Sequence, residues 1–213
     1  MVLKGYWPLS ETTGSTANDY SVNNADGDII GDPVLGSSGI AGSSSYDFDG
    51  NDDYVRIPSM SFADKQSGSI WVNISETNFS YMVFAQKDGN HVYQLQVTPN
   101  FRIRVDTEGG KSIADSTTSA STDTWYHVVW TYESGELKIY VDGKHEATNT
   151  DGSGNILNDS IEGNIAARGN GELNMPGRIC QARLYDHALT QQEVQYLYQV
   201  GKRGLHVSNK KTL

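Results

Sequence analysis

The sequence predicts an all-β fold, two stacked antiparallel sheets with one short C-terminal helix. Three observations carry this. Short apolar or alternating runs recur between clusters of Gly, Asn, Asp and Ser. Dipeptides suited to tight hairpins, Ser134-Gly135 and Asp142-Gly143, separate neighbouring runs. Helix-start chemistry is strong at one place, Thr190 followed by Glu193.

Taken in order, the first strand is expected over 5–9, followed by runs at 45–48, 53–57, 69–74 and 81–87. Tyr93, Leu95 and Val97 alternate with Gln94 and Gln96. Beyond Thr98-Pro99-Asn100, Phe101, Ile103 and Val105 alternate with Arg102 and Arg104. Alternation of this kind marks a hairpin with one buried and one polar face. Residues 125–132 are apolar on both faces, as a central strand must be, and 137–141, 144–148, 161–167 and 179–185 complete the set. More than ten strands at this spacing require two sheets. Residues 115–123, 148–158 and 167–177 read as polar loops. In the helix, Leu189 and Val194 occupy staple positions, Val194, Leu197 and Tyr198 form one stripe, and Gly201 is placed to end it in the left-handed conformation.

Composition narrows the functions. The 213 residues carry 16 basic and 26 acidic side chains, a net charge of -10. Clustered Lys and Arg, needed to neutralise phosphates, are missing, which argues against nucleic acid and against an anionic membrane surface. No apolar run approaches the ~18 residues of a membrane span, and the start MVLKGYWPLSE has no signal-peptide core. Cys180 is the one cysteine, so neither an intrachain disulfide nor a cysteine-based zinc site can form. Its neighbours Ile179 and Ala182 suggest an inert buried thiol.

Several blocks together resemble a known family. They are Tyr6-Trp7-Pro8-Leu9, Asp19-Tyr20-Ser21-Val22-Asn23, Phe48-Asp49-Gly50-Asn51-Asp52-Asp53-Tyr54-Val55, Trp125 through Gly143, and Gly177 through Val194. In this order and spacing the chain resembles the laminin G-like, concanavalin A-like jelly rolls, from about Tyr6 to Tyr198. The resemblance implies a jelly-roll sandwich with a concave face and rim loops, assigned here to residues 1–200, followed by a basic tail, 201–213. It implies a non-catalytic module that recognises a glycan or a protein surface as an exposed part of a larger assembly. Alternatives are a structural or assembly protein of a virion or cell surface, and a glycoside-active enzyme. Hydrolases of this sandwich carry Glu-x-Asp-x-(x)-Glu on one strand, supplying paired carboxylates; no such run exists here. The expected location is extracellular or on a particle surface, with no signal peptide.

Candidate ligand-binding residues are Trp71, Gln94, Gln96, Arg102, Arg104 and His127. Sugar recognition combines aromatic faces with planar polar groups. For Trp71 and His127 the alternative is packing, and for the Gln and Arg row a solvated sheet face. Calcium, which takes six to eight oxygen ligands, is the one metal entertained, at Asp19, Asn23 and Asp26 or at Asp49, Asp52 and Asp53. The alternative is that these residues simply make turns. The family often has an acidic residue where Cys180 and Gln181 stand. Finally, Lys202, Arg203, Lys210 and Lys211 flank Leu205 and Val207 in a tail with no acidic residue, suited to docking on an acidic neighbour and to homo-oligomers or a larger particle.

Overall fold

The computed structural model describes residues 3–78, 80–88, 90–157, 162–168 and 171–204, without the side chains of 86–88 and 90–92. In chain order the strands are β1 (Leu3–Trp7), β2 (Thr16–Ala17), β3 (Gly27–Ile30), β4 (Val34–Ser38), β5 (Ser44–Asp49) and β6 (Tyr54–Ile57). Then come β7 (Lys65–Ile74), β8 (Tyr81–Asp88), β9 (Asn90–Thr98), β10 (Asn100–Thr107) and β11 (Gly110–Ser119). The last are β12 (Trp125–Glu133), β13 (Glu136–Val141), β14 (Lys144–Asn149), β15 (Gly163–Ile165) and β16 (Pro176–Tyr185), before helix α1 (Gln191–Gly201).

The strands form two antiparallel sheets. The first runs β14-β13-β12-β7-β16-β5-β4, with β1 added along the second half of β16. The second runs β11-β10-β9-β8-β15-β6-β3-β2. The predicted all-β sandwich with one C-terminal helix is what forms. Hairpin chemistry behaves as expected. Ser134 (φ 49°) with Gly135 (φ 94°), and Asp142 (φ 50°) with Gly143 (φ 78°), both take the left-handed conformations of a type I′ turn.

Alternation decides what lies between the sheets. Ile70, Val72, Val128, Trp130 and Tyr132 from the first sheet meet Phe84, Tyr93, Leu95, Ile103 and Val105 from the second, all in one buried cluster. Phe84 is edge-on to both Trp130 (centroids 5.9 Å apart, planes at 85°) and Tyr93 (5.6 Å, 89°), the arrangement favoured by ring quadrupoles. Trp130 fits because Gly68 lies beneath its ring, where any Cβ would collide with it.

A second apolar cluster lies on the other side of the first sheet. Leu3, Tyr6, Val129, Tyr140 and Tyr185 are covered there by Leu189, Val194 and Leu197 of the C-terminal segment. The capping box is formed: Thr190 Oγ1 accepts from Glu193 N, and a Glu193 carboxylate oxygen accepts from Thr190 N at 2.7 Å.

Two expectations are corrected. Residues 115–123 were expected as a loop, but β11 extends to Ser119. Its inward positions are Ser112, Ala114 and Ser116, small side chains that create no hydrophobic alternation. Gly201 does not end the helix in the left-handed region; it is the last residue of α1, and the positive φ falls at Gly204 (66°). The glycine serves close approach, since a Cβ there would strike the Trp71 indole. Of the basic tail, Lys202 and Arg203 follow directly on α1, while Leu205, Val207, Lys210 and Lys211 lie outside the described residues.

Candidate ligand-binding faces

The sandwich has two outward faces, and they differ. On the first sheet, Trp71 and His127 both point outward, and α1 covers them. Trp71 is 1% exposed and His127 0%. Tyr198 of the helix stacks on Trp71 (centroids 5.7 Å apart, planes at 17°), and His127 lies 5.0 Å from Trp71 and 6.1 Å from Tyr198, so the three rings form one cluster. His127 Nε2 is 2.9 Å from Ser69 Oγ, and its backbone N–H donates to Asp142 Oδ1. Burial, reinforced by the nearby Arg183 charge, pushes its pKa down to about 3, so the ring is neutral at ordinary pH. Trp71 and His127 are thus corrected from ligand-facing to packed positions, because the helix occupies the face they were expected to offer.

On the second sheet the outward face is open only in part: the Arg102 and Asp115 side chains are 43% and 46% exposed and Arg104 29%, while Gln94, Asp106 and Asn164 are buried. Register places Arg102 opposite Gln96 and Arg104 opposite Gln94, so the four polar side chains form a two-by-two block on adjacent strands. Each arginine is held by two parallel bonds. Arg102 Nε and Nη2 donate to the Asp115 carboxylate at 2.6 and 3.0 Å, and Arg104 Nε and Nη2 donate to Asp106 at 2.7 and 3.0 Å. Gln96 Nε2 donates to Gln94 Oε1 at 3.3 Å. Fork-on-fork pairing fixes both guanidinium planes and leaves their remaining N–H groups directed outward from the pair. The block is electrically balanced, two cations against two carboxylates.

The row continues across the sheet. Gln94 pairs with Ala85, Ala85 with Asn164, and Asn164 with Arg56. Arg56 Nη2 donates to the Tyr54 hydroxyl at 3.0 Å, and its guanidinium lies 5.8 Å from the Tyr54 ring centre. Tyr54, Arg56 and Asn164 were not singled out from the sequence. The alternation Tyr54-Val55-Arg56-Ile57, with Val55 and Ile57 inside, is the signal that marks the first two as outward-facing.

The acidic loops separate into two kinds. Asp19 accepts four hydrogen bonds: Oδ1 from the N–H groups of Tyr6 and Ser21, Oδ2 from Ser21 Oγ and Ala25 N. Asp26 Oδ1 accepts from Asp19 N, and Asn23 Nδ2 donates to Lys4 O. Here the polar groups brace their own loop, the turn chemistry weighed against a metal. In the second loop, carboxylate oxygens of Asp49, Asp52 and Asp53 lie within 4.8 Å of one another, beside Asp32 and Asp47, in a cavity of about 320 Å³. Asp53 is braced, accepting from Asp32 N and Asp49 N. Asn51 bonds both oxygens of Asp49 and holds its pKa down. Three carboxylates at this separation can hold a metal ion, and hard oxygen donors select hard cations.

Family comparison agrees with this architecture. A family model described as the concanavalin A-like lectin/glucanases superfamily matches residues 49–195. The chain belongs to that superfamily. A search of curated proteins finds no match. Among solved structures, the binding domain of botulinum neurotoxin serotype D is similar at a TM-score of 0.72 and 15% identity, over 93% of this chain and 51% of that one. The same serotype's ligand-binding domain, solved with N-acetylneuraminic acid, gives 0.71 and 14%, over 92% and 50%. Our chain therefore spans about half the length of those domains. Domain 4 of an extracellular arabinanase from Geobacillus stearothermophilus, solved with arabinotriose, gives 0.73 and 20%, over 93% and 98%. These likenesses establish the fold. Among the described residues no helix is long and apolar enough to cross a membrane.

Proposed function

We propose that this superfamily member is a non-catalytic glycan-binding module whose recognition surface is the open face of the second sheet. The carrying observation is the block of Gln94, Gln96, Arg102 and Arg104, with both arginines locked on Asp115 and Asp106. Planar donors and acceptors held in place before a ligand arrives lose little side-chain freedom on binding. Sugar hydroxyls, each donor and acceptor at once, match such groups, and Tyr54 beside Arg56 offers an aromatic surface. Charge balance within the block favours a neutral or mildly charged saccharide over a polyanion. The binding domains among the similar structures, solved with arabinotriose and N-acetylneuraminic acid, support the same ligand class. On this face Asp106 and Asp115 are committed to arginine forks, which supports binding over hydrolysis.

The Asp49, Asp52 and Asp53 loop is proposed to take calcium, as a brace for the rim and with no part in chemistry. An array of immobilised glycans, followed by calorimetry with arabinotriose and N-acetylneuraminic acid, tests the main reading. Saturable binding lost on Arg102→Ala supports it; binding to no glycan on the array rejects it.

A further inference from the structure

At the rim, Asn174 is 4% exposed and half satisfied. Its Nδ2 donates to Asn51 O at 2.7 Å, tying two loops together, while Oδ1 has no partner among the described residues. A buried acceptor without a donor is costly and marks a place where something else supplies one. Asn174 lines a cavity of about 500 Å³ together with Gly50, Asn51, Ser80, Tyr81 and Leu173, a size within the range of small-ligand sites.

Leu173 is the second observation. It is 46% exposed and sits in the left-handed region at φ 54°, where a leucine is strained. Its carbonyl is pinned by Met82 N at 2.9 Å, so the surrounding structure enforces the display of an apolar side chain. Tyr81 is equally fixed, its hydroxyl bonded to Glu76 and Asn78 at 3.1 Å each. The cavity thus pairs an apolar wall with a buried acceptor in need of a hydroxyl. A saccharide ring, with one apolar face and hydroxyls at its edge, has that combination. Gly171, also on the cavity wall, places the site beside the open face: a Cβ there would lie 3.5 Å from the Tyr54 ring.

We infer that this rim cavity is a second saccharide subsite, taking one sugar ring with its apolar face on Leu173 and a hydroxyl donating to Asn174 Oδ1. The inference rests on the glycan reading but is independent of the Gln and Arg block as its location. The test is a two-dimensional amide NMR titration with arabinotriose, N-acetylneuraminic acid, galactose, mannose and glucose. Expected are saturable shifts of the Asn174 side-chain amide and of the Leu173 backbone amide, for at least one sugar. They persist in Arg102→Ala, and Leu173→Gly weakens them at least tenfold in Kd. Because glycine relieves the positive φ, that variant keeps the parent melting temperature. Shifts confined to Gln94, Gln96, Arg102 and Arg104, unaltered by Leu173→Gly, overturn the subsite and leave the glycan reading standing. No saturable shift with any of the five sugars overturns the subsite, while the glycan array decides the glycan reading separately.

Discussion

Tyr198 lies flat on Trp71, and Gly201, one turn further along α1, presses its backbone against the same indole. Two residues of the helix therefore close over the one tryptophan that the outward face of the first sheet would have offered to a ligand.

This closure has an energetic signature. Tyr198→Ala removes the stacked ring and is expected to destabilise the fold by about 1–3 kcal/mol. Gly201→Ala forces a methyl group into the indole and is expected to cost a similar amount through overpacking. Both should leave glycan affinity unchanged. Denaturant unfolding alongside calorimetry checks this, and a loss of affinity without loss of stability would return Trp71 to the binding site.

His127 sets a pH dependence. Its folded pKa, about 3, lies below the ordinary 6.5, so the unfolded chain takes up the proton first. Stability from the neutral, buried ring is complete above about pH 6.5 and falls as pH drops through that value towards 3. Melting temperatures measured between pH 7 and 5 should decline, and His127→Gln should flatten the slope. An identical slope in the variant would assign the decline to other groups.

On the open face the expectation is reversed. Arg102→Ala breaks a largely exposed ion pair and should change stability by no more than about 1 kcal/mol, yet weaken glycan binding. Arg104→Lys keeps the charge and loses the fork, so affinity should fall there too, since an ammonium cannot reproduce the paired geometry. Retained affinity in both variants would move the site elsewhere.

The two acidic loops should respond differently to calcium. Asp19→Ala strips four hydrogen bonds from one carboxylate and should destabilise by roughly 3 kcal/mol, equally with calcium or chelator. Asp52→Asn should lose any calcium-dependent rise in melting temperature and otherwise melt as the parent does. Melting curves of the parent that coincide with calcium and with chelator would leave the second loop as turn chemistry alone.

Strand alternation made much of this legible. The pairs Gln94/Gln96 and Arg102/Arg104 stood between inward Tyr93, Leu95, Phe101 and Ile103, and the register between β9 and β10 brings them together. The family pattern reached the sandwich as a whole. Alternation alone does not say which outward face stays open. Trp71 and Arg102 both occupy outward positions, and only the docking of α1 separates them. Nor does it reveal β11, whose inward side is serine and alanine, or the rim cavity. There the decisive facts are the positive φ of Leu173 and the unsatisfied oxygen of Asn174, which depend on how loops distant in sequence meet.

Strand β1 and helix α1 both belong to the first sheet, one along β16 and the other across its outward side. Residues 3–7 and 191–201 therefore both lie on the sheet opposite the one that carries Arg102 and Arg104. A bead or a sensor surface attached through α1, for example at the exposed Tyr196, meets the helix-covered back, and the block around Arg102 and Arg104 points away from the support. Immobilisation there leaves that block free to capture soluble ligand, and copies arrayed side by side on one support would present it in a common direction.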